Sequence, residues 1–70
     1  MATVTYYAPD ISCQGCANAI KRAVSPLPGV REVGVDVNTK RVVVDYDENR
    51  ATPEEIKERI EDAGYETTAV

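Results

Sequence analysis

The stretch Val33-Gly34-Val35-Asp36-Val37-Asn38-Thr39-Lys40-Arg41-Val42-Val43-Val44-Asp45-Tyr46 alternates apolar and polar residues on both sides of a short polar segment. Alternation with period two marks a strand with one buried face. Val33, Val35 and Val37 form the apolar side of one strand, and Val42, Val44 and Tyr46 that of the next. Only Asn38-Thr39-Lys40 separates them, so the two strands form an antiparallel hairpin.

A helix flanks the hairpin on each side. Before it, Ala17, Ile20 and Val24 recur at helical spacing, with Lys21 and Arg22 on the opposite side. This predicts an amphipathic helix over Cys16 to Ser25, ended by Pro26 and Pro28, with Gly29 turning the chain out. After the hairpin, Asp47 to Ala51 is a polar loop. Thr52-Pro53-Glu54-Glu55 then starts a second helix: Thr52 caps, Pro53 fits the first helical position, and Glu55 completes a capping box. Ile56, Ile60 and Ala63 form its expected buried stripe, and Gly64 sits where a left-handed cap belongs. The outermost segments, Thr3 to Tyr7 and Tyr65 to Val70, read as a first strand and a short last strand.

The order is β-α-β-β-α-β. It predicts an α+β, ferredoxin-like fold: a four-stranded antiparallel sheet with two helices on one face. The 70 residues form one expected domain, 1–70, with the other sheet face open to solvent.

Composition narrows the function. The net charge is −4, with acids gathered at Glu54, Glu55, Glu58, Glu61, Asp62 and Glu66. Nucleic-acid binding needs a basic surface and is excluded. No apolar run approaches the roughly 20 residues of a membrane span. The segment Met1 to Pro9 has no basic start or hydrophobic stretch of a signal peptide. The expected location is the cytoplasm, without membrane insertion.

There are two cysteines and no histidine. A disulfide across two intervening residues would remove little entropy from the unfolded chain, and a reducing cytoplasm disfavours it. Metal binding and thiol redox chemistry remain. Cys13 falls in the loop after the first strand and Cys16 in the first helical turn, where backbone N–H groups favour a thiolate. Gly15 is expected to let the loop bend. Two thiolates are soft ligands and select Cu(I) and similar ions. A closed zinc site needs about four ligands, which this chain does not supply alone. The ligand shortage favours a low-coordinate ion and an open site.

The segments Ile11-Ser12-Cys13-Gln14-Gly15-Cys16, Leu27-Pro28-Gly29-Val30, Val42-Val43-Val44-Asp45-Tyr46 and Ile60-Glu61-Asp62-Ala63-Gly64-Tyr65 together resemble the heavy-metal-associated domain family over nearly the whole chain. That family includes bacterial copper chaperones and the N-terminal metal-binding domains of copper-transporting P-type ATPases. The resemblance implies that Cys13 and Cys16 are the metal ligands. It implies that Ile11, where the family usually has Met after Gly, tethers the loop to the core. Asp10 stands at the Gly position and brings a charge near the loop. In zinc and cadmium members an Asp often precedes the first cysteine; Ser12 stands there in this chain, which favours monovalent copper. Tyr65 matches a position near the metal loop in many bacterial copper members, where its hydroxyl would hydrogen-bond a cysteine sulfur. Asn18, Lys21 and Arg22 lie just beyond the loop as candidate partner contacts.

The expected function is a cytosolic Cu(I) chaperone. It holds one ion between two thiolates and passes it by ligand exchange to a copper-transporting P-type ATPase or another metal acceptor. It breaks no bond of an organic substrate and is not an enzyme. The expected state is a monomer, with a metal-bridged dimer as a second form. The alternatives are the metal-binding domain of such an ATPase, or a carrier of another soft ion such as Zn, Hg or Ag. A thiol oxidoreductase is a minor alternative, opposed by the element order and by the lack of an acid–base partner beside the cysteines.

Overall fold

The computed structural model describes residues 2–69. Its elements are β1 (Ala2–Tyr7), α1 (Gln14–Val24), β2 (Val30–Asp36), β3 (Arg41–Tyr46), α2 (Pro53–Asp62) and β4 (Thr68–Ala69). The sheet order is β2-β3-β1-β4, and every neighbouring pair is antiparallel. This is the ferredoxin-like arrangement that the hairpin and its flanking helices imply.

The central hairpin pairs Val33 with Val44 and Val35 with Val42. Its last pair is Asp36 with Arg41, so the turn runs over residues 37–40 and takes Val37 out of the strand. The reason is local. The Asp36 carboxylate accepts the N–H groups of Asn38 at 2.9 Å and Thr39 at 3.3 Å. That side-chain-to-backbone bonding folds the chain before the ladder can continue.

One sheet face and both helices share a single core. Val42 and Val44 of β3 are fully buried with Ile20 and Val24 of α1 and Ile56 and Ile60 of α2. Each such side chain contributes about 1.5–3 kcal/mol on leaving water. Tyr6 and Tyr46 are nearly buried, and the Tyr6 hydroxyl donates to Pro53 O at 2.7 Å, joining β1 to the start of α2. The opposite sheet face is wetter. Tyr7 and Val43 are each 39% exposed there, and Thr3 Oγ1 donates to Asp45 Oδ1 at 2.7 Å.

Three further expectations are corrected. Helix α1 starts at Gln14, two residues before Cys16, because Cys13 O accepts both Cys16 N and Ala17 N. Ala63 is not in the buried stripe of α2; it is the half-buried C-cap. Among the described residues the last strand is not Tyr65 to Val70 but the pair Thr68–Ala69, which pairs with Tyr6 and Tyr7. Val70, its expected end, lies outside the described residues.

Candidate metal centre

The cysteine loop connects β1 to α1 and is anchored from below. Ala8 and Ile11 are both fully buried, and Ile11 N donates to Ala8 O at 3.1 Å, closing a turn through Pro9 and Asp10. Ile11 is thus packed in the core directly before the loop. Ser12 and Cys13 then emerge into solvent.

Cys13 is the N-cap of α1, with extended backbone (φ −157°, ψ 172°), and its side chain caps no backbone group. Cys16 is three residues on, in the first turn. These are the positions whose side chains face each other in a capping box. The two-residue spacing therefore puts both sulfurs at one helix N-terminus. The Sγ atoms lie 3.6 Å apart, far longer than the ~2.05 Å of a disulfide, and both thiols are free. Cys13 is exposed and Cys16 half-buried.

The Cys16 thiol is lowered to about 6, foremost because the Tyr65 hydroxyl hydrogen-bonds its sulfur. The Ser12 backbone, the Cys13 side chain and the Ser12 hydroxyl add to this; Ser12 Oγ lies 3.9 Å from Cys16 Sγ. The same contact raises the Tyr65 hydroxyl, with burial and the charges of Cys16, Cys13 and Asp10 contributing further.

Tyr65 arrives there because of the end of α2. Gly64 takes φ 96°, Gly64 N donates to Glu61 O at 2.9 Å, and Tyr65 N donates to Ile60 O at 3.4 Å. This is the Schellman pattern of helix termination, and it delivers the next side chain across the helix end to the cysteine loop.

The structure brings Ile11, Ser12, Cys13, Cys16 and Tyr65 together. Gly15 is among them, but not as a hinge. It lies inside α1 without a left-handed φ, and a β-carbon there would meet Cys13 Sγ at 3.6 Å, an ordinary contact. Among the described residues, no group of three or more His, Cys, Asp or Glu side chains is placed to hold a metal, so Asp10 does not complete a cluster with the thiols. Asn18 and Arg22 are exposed and Lys21 half-buried. Sequence reasoning missed Lys40, whose ammonium donates to Ile11 O at 2.8 Å and to Pro9 O at 3.3 Å. Its distance along the chain hides the contact, and its left-handed φ of 58° leaves no mark in the residue type.

A family model, the heavy-metal-associated domain, matches residues 5–66. The copper chaperone CopZ of Staphylococcus haemolyticus is 48% identical over 56 residues, spanning 80% of this chain and 82% of that protein. The periplasmic component of a mercuric transport protein from Serratia marcescens is 35% identical, over 90% of this chain and 69% of its own. Among solved structures, a copper-binding domain from HMA7, a P-type ATPase, superposes with a TM-score of 0.94. It is 31% identical, over 100% of this chain and 95% of its own.

Proposed function

Because this chain belongs to the heavy-metal-associated domain family, we propose that residues 1–70 form a single metal-binding domain that carries one Cu(I) between Cys13 and Cys16 and yields it by ligand exchange. The observation that carries this reading is the pair of free thiols at one helix N-terminus, 3.6 Å apart, with no third protein ligand beside them among the described residues. Two soft donors suit a low-coordinate soft ion, and the open side admits a donor from a partner.

The exchange uses groups already in place. Cys16 is largely thiolate at neutral pH, so little proton release from it accompanies metal uptake. A partner thiolate approaches from the exposed Cys13 side and adds to the metal. Cys13 leaves first, then Cys16. The Tyr65 hydroxyl and the N–H groups of the helix end hold the negative charge left on the Cys16 sulfur. Ile11 keeps the loop fixed to the core throughout. No covalent bond of an organic substrate changes, so the chain is a carrier and not an enzyme.

The partner in this reading is a copper-transporting P-type ATPase or another acceptor with paired thiols, met in the cytoplasm, where the cysteines stay reduced. No helix among the described residues is long and apolar enough to cross a membrane. The carrier acts as a monomer; four thiolates from two copies around one metal is the alternative loaded form, distinguished by gel filtration. The likeness to the ATPase domain, at a TM-score of 0.94, favours a second reading in which this unit serves within a longer transporter. The mercuric relative keeps a second soft ion, Hg(II), as the competing cargo.

The test is an anaerobic Cu(I) titration of the reduced chain against a competing chelator, with Zn(II) and Hg(II) in parallel. One Cu(I) per chain, lost in Cys13→Ser and Cys16→Ser, with much weaker Zn(II) binding, supports the carrier. Binding that survives loss of both thiols overturns it. Catalytic turnover of protein disulfides would support the oxidoreductase instead.

A further inference from the structure

Lys40 is the one non-glycine residue among the described residues with a left-handed backbone, at φ 58°. A β-carbon disfavours that region, and glycine is the residue that enters it freely. Lys40 nevertheless occupies it, at the end of the turn between β2 and β3. From there it makes three bonds to one short segment. Its carbonyl accepts Ala8 N at 2.8 Å, and its Nζ donates to Ile11 O at 2.8 Å and Pro9 O at 3.3 Å. All three partners fall within residues 8–11, immediately before Ser12 and Cys13.

We infer that Lys40 is a positioning residue for the cysteine loop: its ammonium ties the Pro9 and Ile11 carbonyls to the β2–β3 turn and so sets where Cys13 stands relative to Cys16. This rests on the reading of the two cysteines as metal ligands. The physical case has two parts. Hydrogen bonds from an ammonium to carbonyl oxygens are charge-assisted and stronger than neutral ones, and the bond to Ile11 O is partly shielded from water. Cys13 is exposed and its side chain makes no cap bond, so its placement is inherited largely from the backbone leading into it. A loop ordered before the metal arrives loses less entropy on binding and releases the ion more slowly.

The stem and the charge do separable work, and so does the backbone. Lys40→Gly removes the ammonium and relieves the left-handed φ. Lys40→Met keeps the stem and the φ but removes the ammonium. Lys40→Arg restores a cationic donor. In the full metal-free chain, amide exchange at Ala8 and Ile11, whose N–H groups are bonded in this segment, is expected to quicken in both Lys40→Gly and Lys40→Met. Lys40→Gly melts at or above the wild-type temperature, because glycine fits the turn. Cu(I) affinity falls on the order of tenfold in both, the lower range for groups that support metal ligands. Lys40→Arg recovers part of the loss.

Unchanged loop exchange and unchanged Cu(I) affinity in Lys40→Gly and Lys40→Met would overturn the assignment. So would an affinity loss that merely follows melting temperature across the variants, since that is general destabilisation. If the wild-type chain itself fails to bind Cu(I), the carrier reading falls, and the loop exchange, which needs no metal, still decides whether Lys40 holds the segment.

Discussion

Cys16 and Tyr65 are far apart in sequence, and the hydrogen bond between them is the largest single cause of the lowered Cys16 thiol. The Cys16 thiol sits at about 6 against 9.0 for an ordinary thiol, with the Tyr65 hydroxyl as the largest cause. Its folded pKa is depressed, so the thiolate's contribution to stability is fully present above the unfolded value. It is lost as pH falls through about 6. Thiolate ultraviolet absorbance of the reduced, metal-free chain should show a midpoint near 6 for Cys16, and Tyr65→Phe should move it up toward the ordinary thiol range. A midpoint that stays put in Tyr65→Phe would show that the hydroxyl does not hold the thiolate. Both residues were legible in the sequence, Cys16 from the spacing and Tyr65 from the family resemblance. Lys40 was not. A side chain reaching two backbone carbonyls near residue 10 from position 40 follows no periodicity and no motif.

At the scale of elements, the turns separate what pattern reveals from what packing adds. The hairpin and the second helix were readable because alternation and capping are local: Thr52 Oγ1 accepts Glu55 N at 3.2 Å, as its position before Pro53 implies. The last strand was overextended because Tyr65 and Thr67 serve a helix cap and the interior, leaving two exposed residues to pair with β1. Gly29 and Gly64 look alike in sequence, and both are left-handed, at φ 95° and 96°. Only Gly29 is also crowded: a β-carbon there would lie 2.7 Å from Arg50 Cβ and 3.0 Å from both Ala51 Cβ and Ala51 N. Gly64 has nothing within 4 Å. Gly64→Ala therefore carries the backbone penalty alone, about 1–2 kcal/mol. Gly29→Ala adds an overpacking penalty of about 1–3 kcal/mol. Urea unfolding should rank Gly29→Ala clearly below Gly64→Ala; equal midpoints would mean that the loop at Arg50 and Ala51 yields freely.

For the whole molecule, the placement of the core predicts that folding needs no metal. The fully buried side chains are aliphatic, while Cys13 is exposed and Cys16 only partly buried. A domain of this length has on the order of 4–10 kcal/mol of stability to draw on. Losing the methyl groups of fully buried Ile11 should take about 2–5 kcal/mol of that. Removing the metal should leave far-ultraviolet circular dichroism unchanged, whereas Ile11→Ala should lower the melting temperature steeply even without metal. Unfolding on chelation would mark the metal as structural, as in a zinc finger. The strand directions have one more consequence. β1 runs into the cysteine loop and β4 runs back from that end, antiparallel to it. Both ends of the described chain therefore head away from the thiols, so a tether attached at either end would leave the mouth of the cysteine loop unobstructed.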